Sequence, residues 1–173
     1  HYLNYSELKK RIKSIISFEG KDSPQSKKIE DEQRRFVTEL EFEINKIAVF
    51  YLNQEDLLEG KVATLLKRCN DLKLRKRHDL ETKESSQSNE VNKLLLEYDQ
   101  LGRSIIKLLK YVELNLTGLR KILKKHDKKV SNNPITSEFL LSYHSGYRRR
   151  TIEGLQNTTK LNDMITKICQ VID

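Results

Sequence analysis

The sequence predicts an all-α protein built around two long helices. Only two prolines and six glycines interrupt the 173 residues, and there is no tryptophan. A many-stranded sandwich or barrel needs a turn about every 8 to 12 residues, so these few turn formers exclude most all-β folds. Apolar residues recur at steps of three and four along most of the chain, which is the helical period. We therefore expect a three-helix bundle with two long antiparallel central helices, a short N-terminal helix and small C-terminal helices.

The N-terminal helix is predicted within residues 1–19. From Tyr5 to Phe18 the apolar residues Leu8, Ile12, Ile15 and Ile16 fall on one side of a helix. The glycine and proline of segment 20–24 end the pattern. This helix is the expected third member of the bundle.

The first long helix is predicted over residues 31–77. Its apolar residues follow steps of three, four or seven, as in a heptad pattern: Phe36, Leu40, Ile44, Ile47, Tyr51, Leu58, Val62, Leu65, Cys69 and Leu72. The polar segment 78–89 is rich in Ser, Lys and Glu and indicates a loop or a frayed helix end.

The second long helix is predicted over residues 90–129. Its apolar positions are Val91, Leu95, Tyr98, Leu101, Ile105, Leu108 and Val112. Two long amphipathic helices joined by a polar connection form an antiparallel pair.

The C-terminal part, residues 135–173, begins after the breakers Ser131, Asn132, Asn133 and Pro134. Ser137–Tyr143 and Leu161–Ile172 are helical candidates that we expect to pack on the bundle. The sequence contains no internal repeat, so residues 1–173 are interpreted as one domain.

Other features exclude several classes of protein. No apolar run approaches the roughly 18 to 20 residues of a membrane span, and no charged and apolar leader opens the chain. Cys69 and Cys169 are too few for a disulfide framework or a thiolate metal site. His78, His126 and His144 lack the spacing of metal ligands, and there is no glycine-rich phosphate loop. We therefore expect a soluble, cytoplasmic, non-catalytic domain without metal or cofactor.

The chain is basic, with 33 Lys and Arg against 25 Asp and Glu and a net charge of +8. The excess is concentrated in Arg120–Lys129, which has six cations and one carboxylate. On a helix, four of these cations fall within an arc of about 100°; these are Lys121, Lys124, Lys125 and Lys128, here called the lysine row. Like charges at this spacing oppose helix formation. A ligand rich in phosphates relieves that repulsion, so the lysine row predicts a site for such a ligand.

The N-terminal helix offers a second wall for this site. Tyr5, Lys9 and Lys13 lie along one edge of its apolar stripe. Lys9 can lay its stem on the bundle and project its ammonium group, and Tyr5 offers one hydroxyl donor. Spacing alone also fits an ordinary aromatic at the core edge and a solvated lysine.

Three stretches of the sequence resemble the SPX domain family. Residues 2–10, YLNYSELKK, look like the start of that family's second helix, and residues 43–51, EINKIAVFY, resemble its central E-x-x-K-V-x-x-F-Y stretch. Residues 114–128, LNLTGLRKILKKHDK, are similar at nearly every position to the signature L-N-x-T-G-F-x-K-I-L-K-K-H-D-K. The three stretches occur in the family's order, and the resemblance extends to about residue 129.

The resemblance implies a helical sensor domain that binds inositol polyphosphates, such as inositol hexakisphosphate, or inositol pyrophosphates. The family's ligand-binding positions fall on Tyr5, Lys9 and the lysine row. It also implies a short helix before His1 whose early lysine faces the ligand. SPX domains are attached to polyphosphate polymerases, phosphate transporters or exporters, phosphodiesterases and ligases. Other domains of the parent protein, which can be membrane-associated, are therefore expected partners.

Two other interpretations of the basic surface remain open. A helical module that binds RNA is one, although the lysine row is about two turns long and has no interleaved aromatic platform. A helix lying on a membrane is the other, but the apolar residues opposite the lysines are needed for the bundle. Of these ligands, we expect inositol polyphosphates rather than nucleic acid.

Overall fold

The computed structural model describes residues 1–18, 26–78, 84–130, 134–136, 154–155 and 157–172. Most of these residues form four helices, the two short helices α1 (Tyr5–Phe18) and α4 (Thr159–Ile172) and the two long helices α2 (Ser26–His78) and α3 (Glu84–Lys129). No strand occurs in the part of the chain that is described. The prediction of an all-α fold is therefore confirmed.

Helix α1 starts with a complete N-cap. The side-chain oxygen of Asn4 accepts the backbone N–H of Glu7 at 3.2 Å and the hydroxyl of Ser6 at 3.0 Å. This satisfies one of the four N–H groups that a helix start leaves without partners. Glu7 also places a negative charge in the first turn and pairs with Lys10 and Arg11.

Both long helices extend further than the sequence suggested. α2 begins at Ser26 instead of residue 31, and α3 begins at Glu84 instead of residue 90. Of the segment interpreted as a loop, His78 belongs to α2 and residues 84–89 belong to α3. These residues are polar but include no glycine or proline, so nothing in them breaks a helix. The stop signal at residues 20–24 and the helical candidate Ser137–Tyr143 lie outside the described residues.

The structure divides into two compact units. Unit 1 comprises His1–Phe50 and Tyr111–Gln156, and unit 2 comprises Tyr51–Lys110 and Asn157–Asp173. α2 and α3 contribute a segment to each.

Unit 1 is a three-helix arrangement of α1 with the first half of α2 and the second half of α3. The rings of Phe50 and Tyr111 are in contact, and so are those of Phe36 and His126. Residue numbers fall along α2 as they rise along α3, so the two segments are antiparallel. Their shared core consists of Leu8, Ile12, Ile15, Phe36, Leu40, Ile44, Leu119, Ile122, Leu123, Val130 and Ile135.

Unit 2 pairs the rest of α2 and α3 with α4. Arg68 of α2 forms an ion pair with Glu97 of α3. Helix α4 buries Leu161, Met164 and Ile168. Lys160, at the start of α4, lies 3.4 Å from a Glu59 oxygen and 3.8 Å from one of Glu55. The negative charges of these two carboxylates raise the pKa of Lys160, and Glu59 has the larger effect.

One core position differs from the sequence expectation. Leu94 is buried, whereas Leu95 is 52% exposed. Buried residues of α3 alternate steps of four and three from Leu94 through Tyr98, Leu101, Ile105, Leu108 and Val112. If Leu95 faced the core, two successive steps of three would follow it, from 95 to 98 and from 98 to 101. A step of three falls about 60° short of a full turn, so Leu95 lies about 60° beyond Tyr98, away from the centre of the buried side.

Candidate functional site

The lysine row lies on the solvent side of the last turns of α3. Lys121, Lys124 and Lys128 are exposed, and Lys125 is half-buried. On the opposite side of the same segment, Leu119, Ile122 and Leu123 are buried in the core of unit 1. The exposure pattern thus follows the division into a charged and an apolar side that helical geometry requires.

His126 belongs to the apolar side of this segment. It is fully buried, and its ring stacks on Phe36 with 4.8 Å between ring centroids. Its Nδ1 lies 3.4 Å from an oxygen of Asp127. His126 is therefore part of the core beneath the lysine row.

Asp127, the one carboxylate within Arg120–Lys129, is directed to backbone groups. Its Oδ1 accepts the N–H of Ile135 at 2.9 Å, and both oxygens lie 3.3 Å from the N–H of Thr136. Partial burial acts to raise the pKa of Asp127, but the hydrogen bonds from Thr136, Ile135 and His126 outweigh it and hold the pKa below its ordinary value. Its charge is used to attach residues 135 and 136 to the end of α3.

The lysine row has no carboxylate partner within 4.0 Å among the residues that the structure describes. Eight Lys and Arg residues of the described helices do have one, among them Lys10 with Glu7, Arg34 with Glu30 and Arg103 with Asp99. The positive charge at the end of α3 is therefore not neutralised by this part of the molecule.

Residues 1–4, here called the N-terminal strap, lead into α1 and are bound at several points. The ring of His1 stacks on Phe50 at 4.4 Å, and its carbonyl accepts the hydroxyl of Tyr111 at 2.9 Å. The N–H of Leu3 donates to Asn115 Oδ1 at 2.8 Å, and the N–H of Asn4 donates to Glu43 Oε2 at 2.6 Å. The strap therefore contacts both α2 and α3.

Asn115 and Glu43 are buried polar residues, each only 3% exposed. Asn115 also donates its amide to the carbonyl of Tyr111 at 2.7 Å, and Glu43 accepts the ammonium of Lys46 at 2.6 Å. Buried polar groups are costly unless they are paired, and both are paired here. Burial, with Tyr2 and Glu43 nearby, raises the pKa of Tyr111 to about 12. Its hydroxyl thus remains a donor to His1.

The N-terminal strap follows α3 in the direction of rising residue numbers. His1 is hydrogen-bonded to Tyr111, and Leu3 is hydrogen-bonded to Asn115, one turn further along α3. The buried side of α1, which follows the strap, shares a core with Leu119, Ile122 and Leu123. Tyr5 and Lys9 are half-buried at one edge of the α1 stripe.

Sequence reasoning assigned no role to Asn115, Glu43 or Gly118. The signal for the first two is visible in hindsight, since each polar residue occupies a core-facing position. Asn115 stands three residues after Val112 and four before Leu119, and Glu43 stands three after Leu40 and four before Ile47.

A groove of about 680 Å³ lies in unit 2, with Leu65 and Leu101 among its lining residues. None of the predicted ligand-binding residues lines it. The described residues contain no cluster of His, Cys, Asp and Glu suited to a metal ion. None of the described helices is long and apolar enough to cross a membrane.

Comparison with known proteins agrees with the sequence motifs. The model of the SPX domain family matches residues 92–140. An SPX domain-containing membrane protein of Arabidopsis thaliana is 36% identical over 132 residues, which cover 75% of this chain and 17% of that protein. A protein of the same description from Oryza sativa subsp. japonica is 33% identical over 133 residues, with the same two coverages.

SPX domain-containing protein 5 of Oryza sativa subsp. indica is 32% identical over 132 residues, covering 75% of the chain and 44% of that protein. The chain thus spans less than half the length of these relatives. The similarity is therefore confined to one part of each relative, and each relative contains further sequence outside it.

Proposed function

Because the chain carries an SPX domain, we propose that it is a non-catalytic regulatory domain that binds inositol polyphosphates or inositol pyrophosphates. The proposed ligand-binding residues are Tyr5, Lys9, Lys121, Lys124, Lys125 and Lys128. One observation supports this most directly, namely that the lysine row has no carboxylate partner in the described structure. Several phosphates on one small ring supply the missing negative charges.

The chemistry of the site is charge-assisted hydrogen bonding. Each lysine ammonium offers three donors on a flexible stem, and it binds phosphate as a point charge rather than in a fixed planar geometry. Binding therefore depends on how many phosphates the ligand carries more than on ring stereochemistry. The hydroxyl of Tyr5 adds one directional donor.

Lys125 is expected to be the central residue of the site. It is the half-buried member of the row, so part of its stem lies on the protein surface and its rotational freedom is already reduced. It stands seven residues after Gly118, on nearly the same side of α3, where the strap lies. We therefore expect its ammonium group on the side of α3 that the strap contacts.

The proposed role is to report inositol phosphate levels to the protein that carries the domain. Two of the relatives are named membrane proteins and are much longer than this chain. We propose that the parent protein handles phosphate or polyphosphate, that this domain faces the cytosol, and that no cofactor is needed.

The test is calorimetric titration of the 173-residue chain with inositol hexakisphosphate at low salt. Lys125→Ala should weaken binding roughly tenfold or more, since one charge-assisted contact is lost. Lys107→Ala is the matched control, because Lys107 is an exposed lysine of the same helix in unit 2. Equal affinities for the wild type and Lys125→Ala would contradict the assigned site.

A competition experiment addresses the RNA alternative. Single-stranded RNA at matched phosphate concentration should fail to displace the inositol phosphate, because a row of about two turns contacts only a short length of backbone. Displacement by RNA at that concentration would favour a nucleic-acid ligand.

A further inference from the structure

Helix α3 contains a glycine, Gly118, three residues before the lysine row begins. Glycine in a helix interior is unfavourable relative to alanine. A methyl group built on Gly118 would lie 3.0 Å from Cδ2 and 4.0 Å from Cβ of Leu3. Leu3 is the one residue of the strap that approaches so closely, so the missing side chain of Gly118 makes room for it.

The other glycines of the long helices have no such neighbour. A methyl group on Gly60 or Gly102 would meet nothing within 4 Å. Gly118 therefore differs from Gly60 and Gly102 in that a residue of the strap occupies the space where its side chain would be.

Leu3 is fixed on both sides of this contact. Its N–H donates to Asn115, one turn before Gly118, and its carbonyl accepts the N–H of Tyr5 at 2.9 Å. Tyr5 is thus joined to Leu3 by a hydrogen bond, and Lys9 follows one turn later on α1. On α3, Lys121 and Lys125 follow Gly118 by about one and two turns.

We infer that Leu3 and Gly118 are positioning residues that set the register of α1 against α3, and thereby the spacing between Tyr5 and Lys9 on one side of the ligand and the lysine row on the other. This inference rests on the proposed function, because it concerns the same site. Neither residue needs to touch the ligand. Asn115 supports the register by holding the backbone of Leu3.

The test exchanges a large and a small side chain across the contact. Gly118→Leu, Leu3→Ala and the double variant are compared by calorimetric titration with inositol hexakisphosphate. Gly118→Leu should weaken binding roughly tenfold, Leu3→Ala should weaken it by a smaller factor, and the double variant should bind within about threefold of the wild type. Gly102→Leu is the matched control in the same helix and should bind as the wild type does.

Amide hydrogen exchange provides a second readout that does not require the probe. Protection of the Leu3 and Tyr5 amides should fall in Gly118→Leu and recover in the double variant, while helix content by circular dichroism stays constant. Leu3 is half-buried at the edge of the core, so Leu3→Ala is a milder change than Gly118→Leu and tests the inference even if Gly118→Leu folds poorly.

The outcomes separate this inference from the proposed function. If the wild type does not bind the probe, the proposed function fails, and hydrogen exchange still decides the register. Unchanged protection in Gly118→Leu overturns the register. If Gly118→Leu loses protection but binds the probe with unchanged affinity, the register does not control the ligand site. If the double variant does not recover affinity, the contact between Leu3 and Gly118 is not the cause of the loss.

Discussion

At the scale of single residues, Asp127 decides how the charge near the end of α3 is used. A carboxylate within a run of six cations would ordinarily offset the charge of one of them by forming an ion pair. Here its oxygens accept backbone N–H groups of Ile135 and Thr136 instead. The lysine row therefore keeps its charge, and the chain after α3 is attached where Ile135 enters the core.

Asp127→Asn should lower stability by about 1 kcal/mol at pH 7, since hydrogen bonds to a charged acceptor are stronger than those to a neutral amide. The pKa of Asp127 is lowered in the folded state, so its contribution is present above the unfolded value of about 3.8 and is lost as pH falls through the folded pKa. Urea unfolding at pH 7 and at pH 3 checks this. The difference between wild type and variant should shrink at the lower pH.

Asp163→Asn is the control for this measurement, because Asp163 is exposed on α4. A difference between wild type and Asp127→Asn that is the same at both pH values would show that the carboxylate charge is not involved.

At the scale of elements, the N-cap of α1 and the strap act together on Tyr5 and Lys9. Asn4 contributes its side chain to the cap and its backbone N–H to Glu43. In a capping box the backbone N–H of the cap residue is bound by the third helical residue. Here a carboxylate from α2 takes that place, so the start of α1 is tied to a second helix.

Asn4→Ala should cost about 1 kcal/mol of helix stability, because Glu7 loses its N-cap acceptor. Amide hydrogen exchange within Tyr5–Phe18 should accelerate, while that of α4 should not change. Asn4→Ser retains a cap and should restore protection. Asn4→Asp is a poorer control, since it adds a negative charge to the residue whose backbone N–H is bound by the Glu43 carboxylate. Equal exchange rates in the alanine variant and wild type would show that packing alone holds α1.

The elements were predictable from sequence to the extent that apolar spacing defines them. Phe36, Leu40 and Ile44 of α2 are buried as the periodicity predicts. The starts of α2 and α3 could not be predicted in this way, because polar residues such as those of 84–89 fit a solvent-exposed helix and a loop equally well. Leu94 and Leu95 are both apolar, and only the regular alternation of steps along α3 distinguishes them.

The candidate site was predictable only in part, for a similar reason. The lysine row follows from the helical repeat of residues 121–128. The contact between Leu3 and Gly118 joins residues more than a hundred positions apart, and no local pattern encodes such a pair. Asn115 was accessible in principle, as a polar residue within an apolar stripe.

At the scale of the whole molecule, both units use the same arrangement. Each has a segment of α2 and α3 with a third helix packed on it, α1 in unit 1 and α4 in unit 2. The sequence predicts one domain over residues 1–173, and within it the structure has two compact units. All six proposed ligand-binding residues fall within unit 1.

The net charge of +8 implies a strong dependence of ligand binding on ionic strength. Raising salt from about 0.05 M to about 0.5 M should weaken binding of inositol hexakisphosphate by more than tenfold, since the Debye length shortens below the width of the site. Lys107→Ala should show the same salt dependence as the wild type. A flat salt profile would indicate that uncharged contacts dominate binding.

The hydrogen bonds of the strap have a consequence for mutational tolerance. Asn115 and Glu43 both accept backbone N–H groups, those of Leu3 and Asn4. Every residue except proline supplies such a group, so these two bonds place no demand on which side chains occupy positions 3 and 4. A saturation scan at position 3 should therefore rank substitutions by their fit beside Gly118, with proline as the separate and most damaging class. These two bonds do require particular side chains on the acceptor side, namely Glu43 in α2 and Asn115 in α3.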